Sequence, residues 1–205
     1  MLSLHFCNAI LHKFLFEMYM TTFWLTLGFT IGIFGFTFAQ NKKIPQVKIL
    51  VTISSPIDKA FGYIVPVKLA RIFKKYKRFP AITKTNETEL WNKAGLTRTV
   101  YFEDGTTAHE SLITVEPNKS FSYKIENFTS SLRKLANRIK GEWLFTDLGN
   151  GQTKIEWTYK IIPKNGFTRI LIKWFVLKDL KVLLNNALTI LKEDLENGEY
   201  KNAHR

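Results

Sequence analysis

The chain has 205 residues and carries 30 Lys and Arg against 17 Asp and Glu, a formal net charge of +13. That length suits one domain with an extension. A single cysteine, Cys7, excludes a disulfide framework, and the scattered histidines His5, His12, His109 and His204 have no metal-ligand spacing.

The extension lies at the N-terminus. Met18 to Gln40, 23 residues, contains no charged side chain. As a helix rising about 1.5 Å per residue it covers a hydrocarbon core of roughly 30 Å. No amphipathic face can be drawn through it, which argues against a buried core helix. Two readings stay open: a retained anchor, or a cleaved signal with Thr37-Phe38-Ala39 as the small-x-small site before Gln40. Lys13 and Glu17 cancel before the segment, whereas Lys42, Lys43 and Lys48 follow it. Both the missing basic leader and the trailing lysines favour an anchor with the folded domain on the cytoplasmic side. The expected organisation is a hydrophobic N-terminal helix within residues 1–40 and a folded domain over 41–205. Export after cleavage near Ala39 is the alternative.

The folded domain keeps the whole positive charge, since residues 1–39 hold one Lys and one Glu. Lys68, Arg71, Lys74, Lys75, Lys77 and Arg78 form its densest cluster, with no acid between them. Such a patch fits nucleic acid or an anionic membrane. Beside an apolar segment the membrane fits better, at about 1 kcal/mol per basic residue near an anionic leaflet. A solvated face kept for solubility is the bland alternative.

In chain order, Val47–Ile53 reads as a strand. Ser55 is a candidate N-cap with Pro56 at the first helical position, opening a short helix that Pro66 interrupts. A second short helix is expected from Val67 to about Lys75, and a loop over 76–86. Glu87–Asn92 and Leu96–Phe102 are candidate strands. Asp104-Gly105 signals a two-residue hairpin into Thr106–Glu116, and Pro117-Asn118 turns the chain into Ser120–Asn127. After a polar connection, Lys140–Ile162 forms a long hairpin around Gly149-Asn150-Gly151. Its alternation puts Trp143, Phe145, Ile155, Trp157, Tyr159 and Ile161 on one face. From Phe167 the period becomes helical: Phe167, Ile170, Leu171, Trp174, Leu177, Leu180, Leu184, Leu188, Leu191 and Leu195 form a broad stripe. The architecture is α+β, with about seven antiparallel strands around one long C-terminal helix.

This order resembles the helix-grip fold. The residues that carry the resemblance are Ile53 to Phe61 with Pro56 inside it, Gly95 to Val100, Asp104-Gly105, Glu110, Phe121-Ser122-Tyr123, Glu142 to Phe145, and Thr153 to Trp157. As an ordered set, spread over Val47 to Glu196, they are similar to the SRPBCC superfamily of START and pollen-allergen-like proteins, in its polyketide cyclase/dehydrase-like branch. The resemblance implies an apolar cavity between sheet and helix, used for lipids, sterols or polyketides, with a minority of members being enzymes.

The residues themselves supply a heavy inward aromatic load. Tyr101, Tyr123, Trp143, Phe145, Trp157 and Tyr159 are expected to line such a cavity, with Glu110 as its polar group. His109 and Glu110 are adjacent in a strand and face opposite ways. With a two-residue turn at Asp104-Gly105, Thr99 faces Glu110 and Arg98 faces Ser111, so Arg98 and Glu110 are not expected to pair. No acid/base dyad, nucleophile elbow, phosphate loop or cofactor motif is present, so no catalytic residue and no cofactor is assigned. The leading expectation is a membrane-associated module binding a hydrophobic small molecule or lipid. One alternative is a cyclase/dehydratase-like enzyme, with Glu110 and Tyr101 or Tyr123 doing acid/base work. The other is a regulatory, partner-binding domain.

Overall fold

The computed structural model describes residues 43–198. The expected N-terminal hydrophobic helix, Met18 to Gln40, lies outside the described residues. Among those described, no helix is long and apolar enough to cross a membrane.

The alternating segments form one seven-stranded antiparallel sheet. Its strands are β1 (Gln46–Ile53), β2 (Ile82–Thr85), β3 (Thr97–Phe102), β4 (Thr107–Glu116), β5 (Ser120–Glu126), β6 (Ala136–Gly149) and β7 (Gln152–Pro163), ordered β1-β7-β6-β5-β4-β3-β2. The register aligns inward residues into rows: Phe121 opposite Trp143 opposite Trp157 opposite Ile49, and Ile125 opposite Ile139 opposite Ile161. The inward face expected from the long hairpin is buried throughout, from Trp143 to Ile161. The turn at Gly149-Asn150-Gly151 takes the positive φ angles expected of it.

Across this face lies the long C-terminal helix: α3 (Gly166–Leu171), a π-helical turn (Ile172–Val176) and α4 (Leu177–Glu196). Asn165 caps α3, its side chain accepting from the Thr168 amide at 2.9 Å while Thr168 Oγ1 accepts from the Asn165 amide at 3.0 Å. In α4 the expected stripe holds, with Leu180, Leu184, Leu188, Leu191 and Leu195 buried. Before it the stripe fails. Phe167 and Trp174 are 70% and 77% exposed, and Ile170 and Phe175 are exposed as well. Residues 167–177 are apolar almost all round, so their periodicity selects no face. The extra residue of the π-turn then re-phases the helix.

Other boundaries differ from expectation. The edge strand falls at Ile82–Thr85 rather than 87–92, because the amide of Asn86 donates to Thr99 O and the chain then leaves the sheet. Pro56 occupies the N-cap position of α1 (Ile57–Ile64), and the Ser55 carbonyl accepts from Thr153 Oγ1 at 2.7 Å. The second short helix, α2, shrinks to Leu69–Ile72.

One polar cluster ties the helices together. Tyr63 of α1 donates to Asp194 Oδ2 of α4 at 2.5 Å, and Arg71 of α2 donates to the same carboxylate at 2.6 Å. Asp194 is buried. Burial pushes its carboxyl up, but the hydrogen bonds from Arg71 and Tyr63 outweigh that and hold it below the usual carboxylate range. A carboxylate depressed in the folded state stabilises the fold above its unfolded value of about 3.9, and that contribution is lost as pH falls through the folded value. Replacing Asp194→Ala is expected to cost roughly 2–4 kcal/mol, tempered by the partial exposure of Arg71. Urea unfolding at several pH values checks this: the gap between wild type and Asp194→Asn should be full at pH 6 and shrink below about pH 4.

Candidate functional site

The cavity arises where inward side chains become small. At the β1 end of the sheet the face is filled by rings, with Trp143 and Trp157 stacked at 4.1 Å between centroids. On β3 and β4 the inward positions include Val100 and Ala108, too small to reach the helix. The space left is about 370 Å³, within the range of small-molecule sites. Tyr123, Trp143, Trp157 and Tyr159 form one wall, Val176, Leu180 and Leu184 of the helix cover them, and Arg98 and Glu110 stand on the β3–β4 side.

The polar members are held by register. Tyr123 and Tyr159 lie opposite Gly141 on its two sides, so their side chains converge over a residue that has none. A Cβ on Gly141 would overlap the Tyr123 ring. Trp157 Nε1 donates to the Tyr123 hydroxyl at 2.9 Å, and the hydroxyls of Tyr123 and Tyr159 interact. Burial pushes both phenols well above their ordinary value. For Tyr123 the neighbouring Tyr159 and then the negative charge of Glu110 add to that, and for Tyr159 Glu110 does. Both therefore stay protonated, serving as hydroxyl donors rather than bases.

Contrary to the register expected from sequence, Arg98 and Glu110 lie directly opposite each other. The β3–β4 loop has three residues, Glu103-Asp104-Gly105, closed by Phe102 N to Thr106 O at 3.0 Å with Gly105 at φ +78. One extra loop residue shifts the pairing by one. Arg98 Nε donates to Glu110 Oε2 at 2.6 Å, with the two side chains 2% and 4% exposed. The guanidinium lies 4.1 Å from the centroid of Trp91 and reaches Glu87 at 3.3 Å. Trp91 is buried, so this segment, read as a strand from its sequence, is instead a cover over the ion pair.

Of the residues expected to line the cavity, Glu110, Tyr123, Trp143, Trp157 and Tyr159 do so. Phe145 does not: it faces inward but contacts Phe61 of α1 at 5.1 Å, beyond the cavity. Tyr101 points to the other face of β3, with Lys84 Nζ 5.1 Å from its ring centroid, because odd and even residues of a strand face opposite ways. Arg98, Phe121 and Trp91 were missed, and a three-residue reading of the Asp104-Gly105 loop is the signal that would have found Arg98.

Four of the six cations in the basic cluster pair with three acids from other segments. Arg71 holds Asp194, Lys75 reaches Glu103 at 3.0 Å, and Lys77 and Arg78 reach Asp179 at 2.7 and 3.7 Å. Lys74 caps the Ala70 carbonyl at 2.9 Å. Lys68 stays exposed beside them. Arg78 also lines the cavity. Among the described residues no cluster could hold a metal ion.

No family model and no curated protein matches this sequence. Solved structures do match. DynU16, a protein of the dynemicin biosynthetic locus, is 18% identical with a TM-score of 0.52, over 75% of this chain and 48% of that one. The chain thus spans about half of DynU16. A protein from Mesorhizobium loti is 16% identical with a TM-score of 0.56, over 75% of this chain and 98% of that one. The Zhui aromatase/cyclase of Streptomyces sp. R1128 is 16% identical with a TM-score of 0.53, over 74% of this chain and 96% of that one. The chain has the helix-grip fold, and at these identities the likeness shows the fold alone. The Zhui aromatase/cyclase shares that fold.

The close approach over Gly141 makes a direct test. Gly141→Ala should lower stability by about 1–3 kcal/mol, as overpacking does. In a Tyr123→Leu background the same change should cost clearly less. A double-mutant cycle by thermal unfolding reads the coupling.

Proposed function

We propose that this chain binds an extended hydrophobic molecule bearing carbonyl or phenol oxygens and promotes its cyclisation or dehydration by acid/base chemistry. The observation that carries the reading is the buried polar cluster of Arg98, Glu110, Tyr123 and Tyr159, set in the wall of a cavity lined mostly by apolar side chains. An apolar cavity with a few convergent polar groups binds and orients a small molecule. Glu110 is the one carboxylate facing both tyrosines, and Arg98 orients it. In this reading Glu110 takes a proton from carbon α to a carbonyl, and a tyrosine hydroxyl donates a hydrogen bond to the oxygen where negative charge develops. Arg98 is a positioning residue, stacked on Trp91. The aromatase/cyclase activity in the name of one structural neighbour supports this class of substrate. So does the aromatic wall, whose faces suit a planar, partly unsaturated chain. Carriage of a membrane lipid has no such support.

The test uses the full chain and an anthraquinone-type phenolic ketone as probe, with quenching of tryptophan emission as readout. Saturable one-to-one binding is expected, weakened at least tenfold by Ala108→Trp, which fills the cavity. Turnover is tested with a linear diketo ester that can close by aldol reaction. Tyr159→Phe keeps the ring and should lower kcat by about 10- to 100-fold with little change in KM, and Glu110→Gln should lower it by about 100-fold or more. Probe binding that Ala108→Trp leaves unchanged would remove the cavity reading. Cyclisation rates equal to the uncatalysed reaction would remove the enzymatic part.

A further inference from the structure

The first turns of the C-terminal helix present an apolar face that no described residue covers. Phe167, Ile170, Trp174 and Phe175 are 70%, 39%, 77% and 56% exposed, within nine residues of one another. Four large side chains so exposed and so close are more than the scattered apolar residues any surface carries. Along the chain the charged residues around them have one sign. No Asp or Glu occurs between Glu156 and Asp179, while Lys160, Lys164, Arg169, Lys173 and Lys178 do. Lys164, Lys178 and Lys181 are solvent-exposed. Asp179, where the basic run ends, is buried and held by Lys77 and Arg78, so it adds little negative charge to this face.

From this we infer that α3 and the π-turn dock on the surface of an anionic lipid bilayer, with Trp174, Phe175 and Phe167 inserted at the headgroup boundary. Aromatic and aliphatic side chains on one side of a helix, flanked by lysines and arginines, are the composition of an interfacial helix. Trp in particular favours that depth. The charge complementarity selects the occupant, because a second copy of this chain would bring the same positive surface against itself. The site differs from the 68–78 cluster, four of whose six cations pair with acids of the domain. It also adjoins the cavity, since Val176, one residue past Phe175, lines it. A hydrophobic ligand could then pass between bilayer and cavity without crossing bulk water.

Hydrogen exchange of the full chain, read peptide by peptide, tests this independently of any binding by residues 1–42 or in the cavity. Segment 166–178 should gain protection with vesicles of phosphatidylcholine and phosphatidylserine, and much less with phosphatidylcholine alone or at high salt. Trp174→Ser with Phe175→Ser alters only exposed side chains, so the thermal midpoint should hold while the protection falls several-fold. Protection equal on neutral and anionic vesicles, or absent on both, would overturn the inference. So would protection already complete without lipid, which would mean that another part of the chain or a second copy covers this face.

Discussion

Gly141 sits at the centre of the longest hairpin, flanked by Tyr123 on one side and Tyr159 on the other. The site depends on what it lacks. A Cβ at 141 would collide with the Tyr123 ring, and the Tyr123 hydroxyl would leave the place where it accepts from Trp157 Nε1. One row along, Phe121, Trp143 and Trp157 stack ring on ring, at 5.5 and 4.1 Å between centroids. That stack is a stiff platform, because aromatic side chains have few rotamers and each is buried on both faces. The cavity begins where the platform ends and Val100 and Ala108 take over. Its position is therefore a consequence of side-chain size along the rows rather than of a break in the sheet.

A buried ion pair in such a place needs a reason other than stability. Taking Arg98 and Glu110 out of water is costly, and a well-fitted apolar pair of similar volume is often as stable or more so. The fold nevertheless surrounds this pair carefully. Trp91 covers the guanidinium, Glu87 takes a second of its donors, and the tyrosines face the carboxylate across the cavity. Contrast the Tyr63–Arg71–Asp194 cluster, which faces no cavity and joins three helices. Both are buried polar groups with their partners supplied, but only the first opens onto space that a ligand could occupy.

Most of the architecture was legible because it rests on periodicity. Alternation over 140–162 and the leucine stripe over 180–195 each repeat often enough that one misread residue changes nothing. The site was less legible, because it rests on register, and register turns on a single residue. Reading Asp104-Gly105 as a two-residue turn moves every partner of β3 by one, hides the Arg98–Glu110 pair and turns Tyr101 inward. Nothing in the composition of 97–111 separates the two alignments; the Phe102–Thr106 closure and the left-handed Gly105 decide it. The ion pairs of the basic cluster were hidden for another reason. Asp179 and Asp194 lie about a hundred residues away in sequence, and local charge counting cannot see partners supplied by the fold.

The segment 167–175 shows a third kind of limit. Where a helix is apolar on all sides, its sequence says that much surface is available and not which part is covered. The π-turn settles this by placing Trp174 and Phe175 outside and Val176 inside within three consecutive residues. Single π-turns of this kind occur frequently at functional sites. Here the turn sits where the outward apolar face of α3 hands over to the cavity-covering face of α4. A displacement of the turn would move both together. Proposed docking on the outside and proposed binding on the inside thus share one mechanical element, whose two sides differ only in what they have to bury.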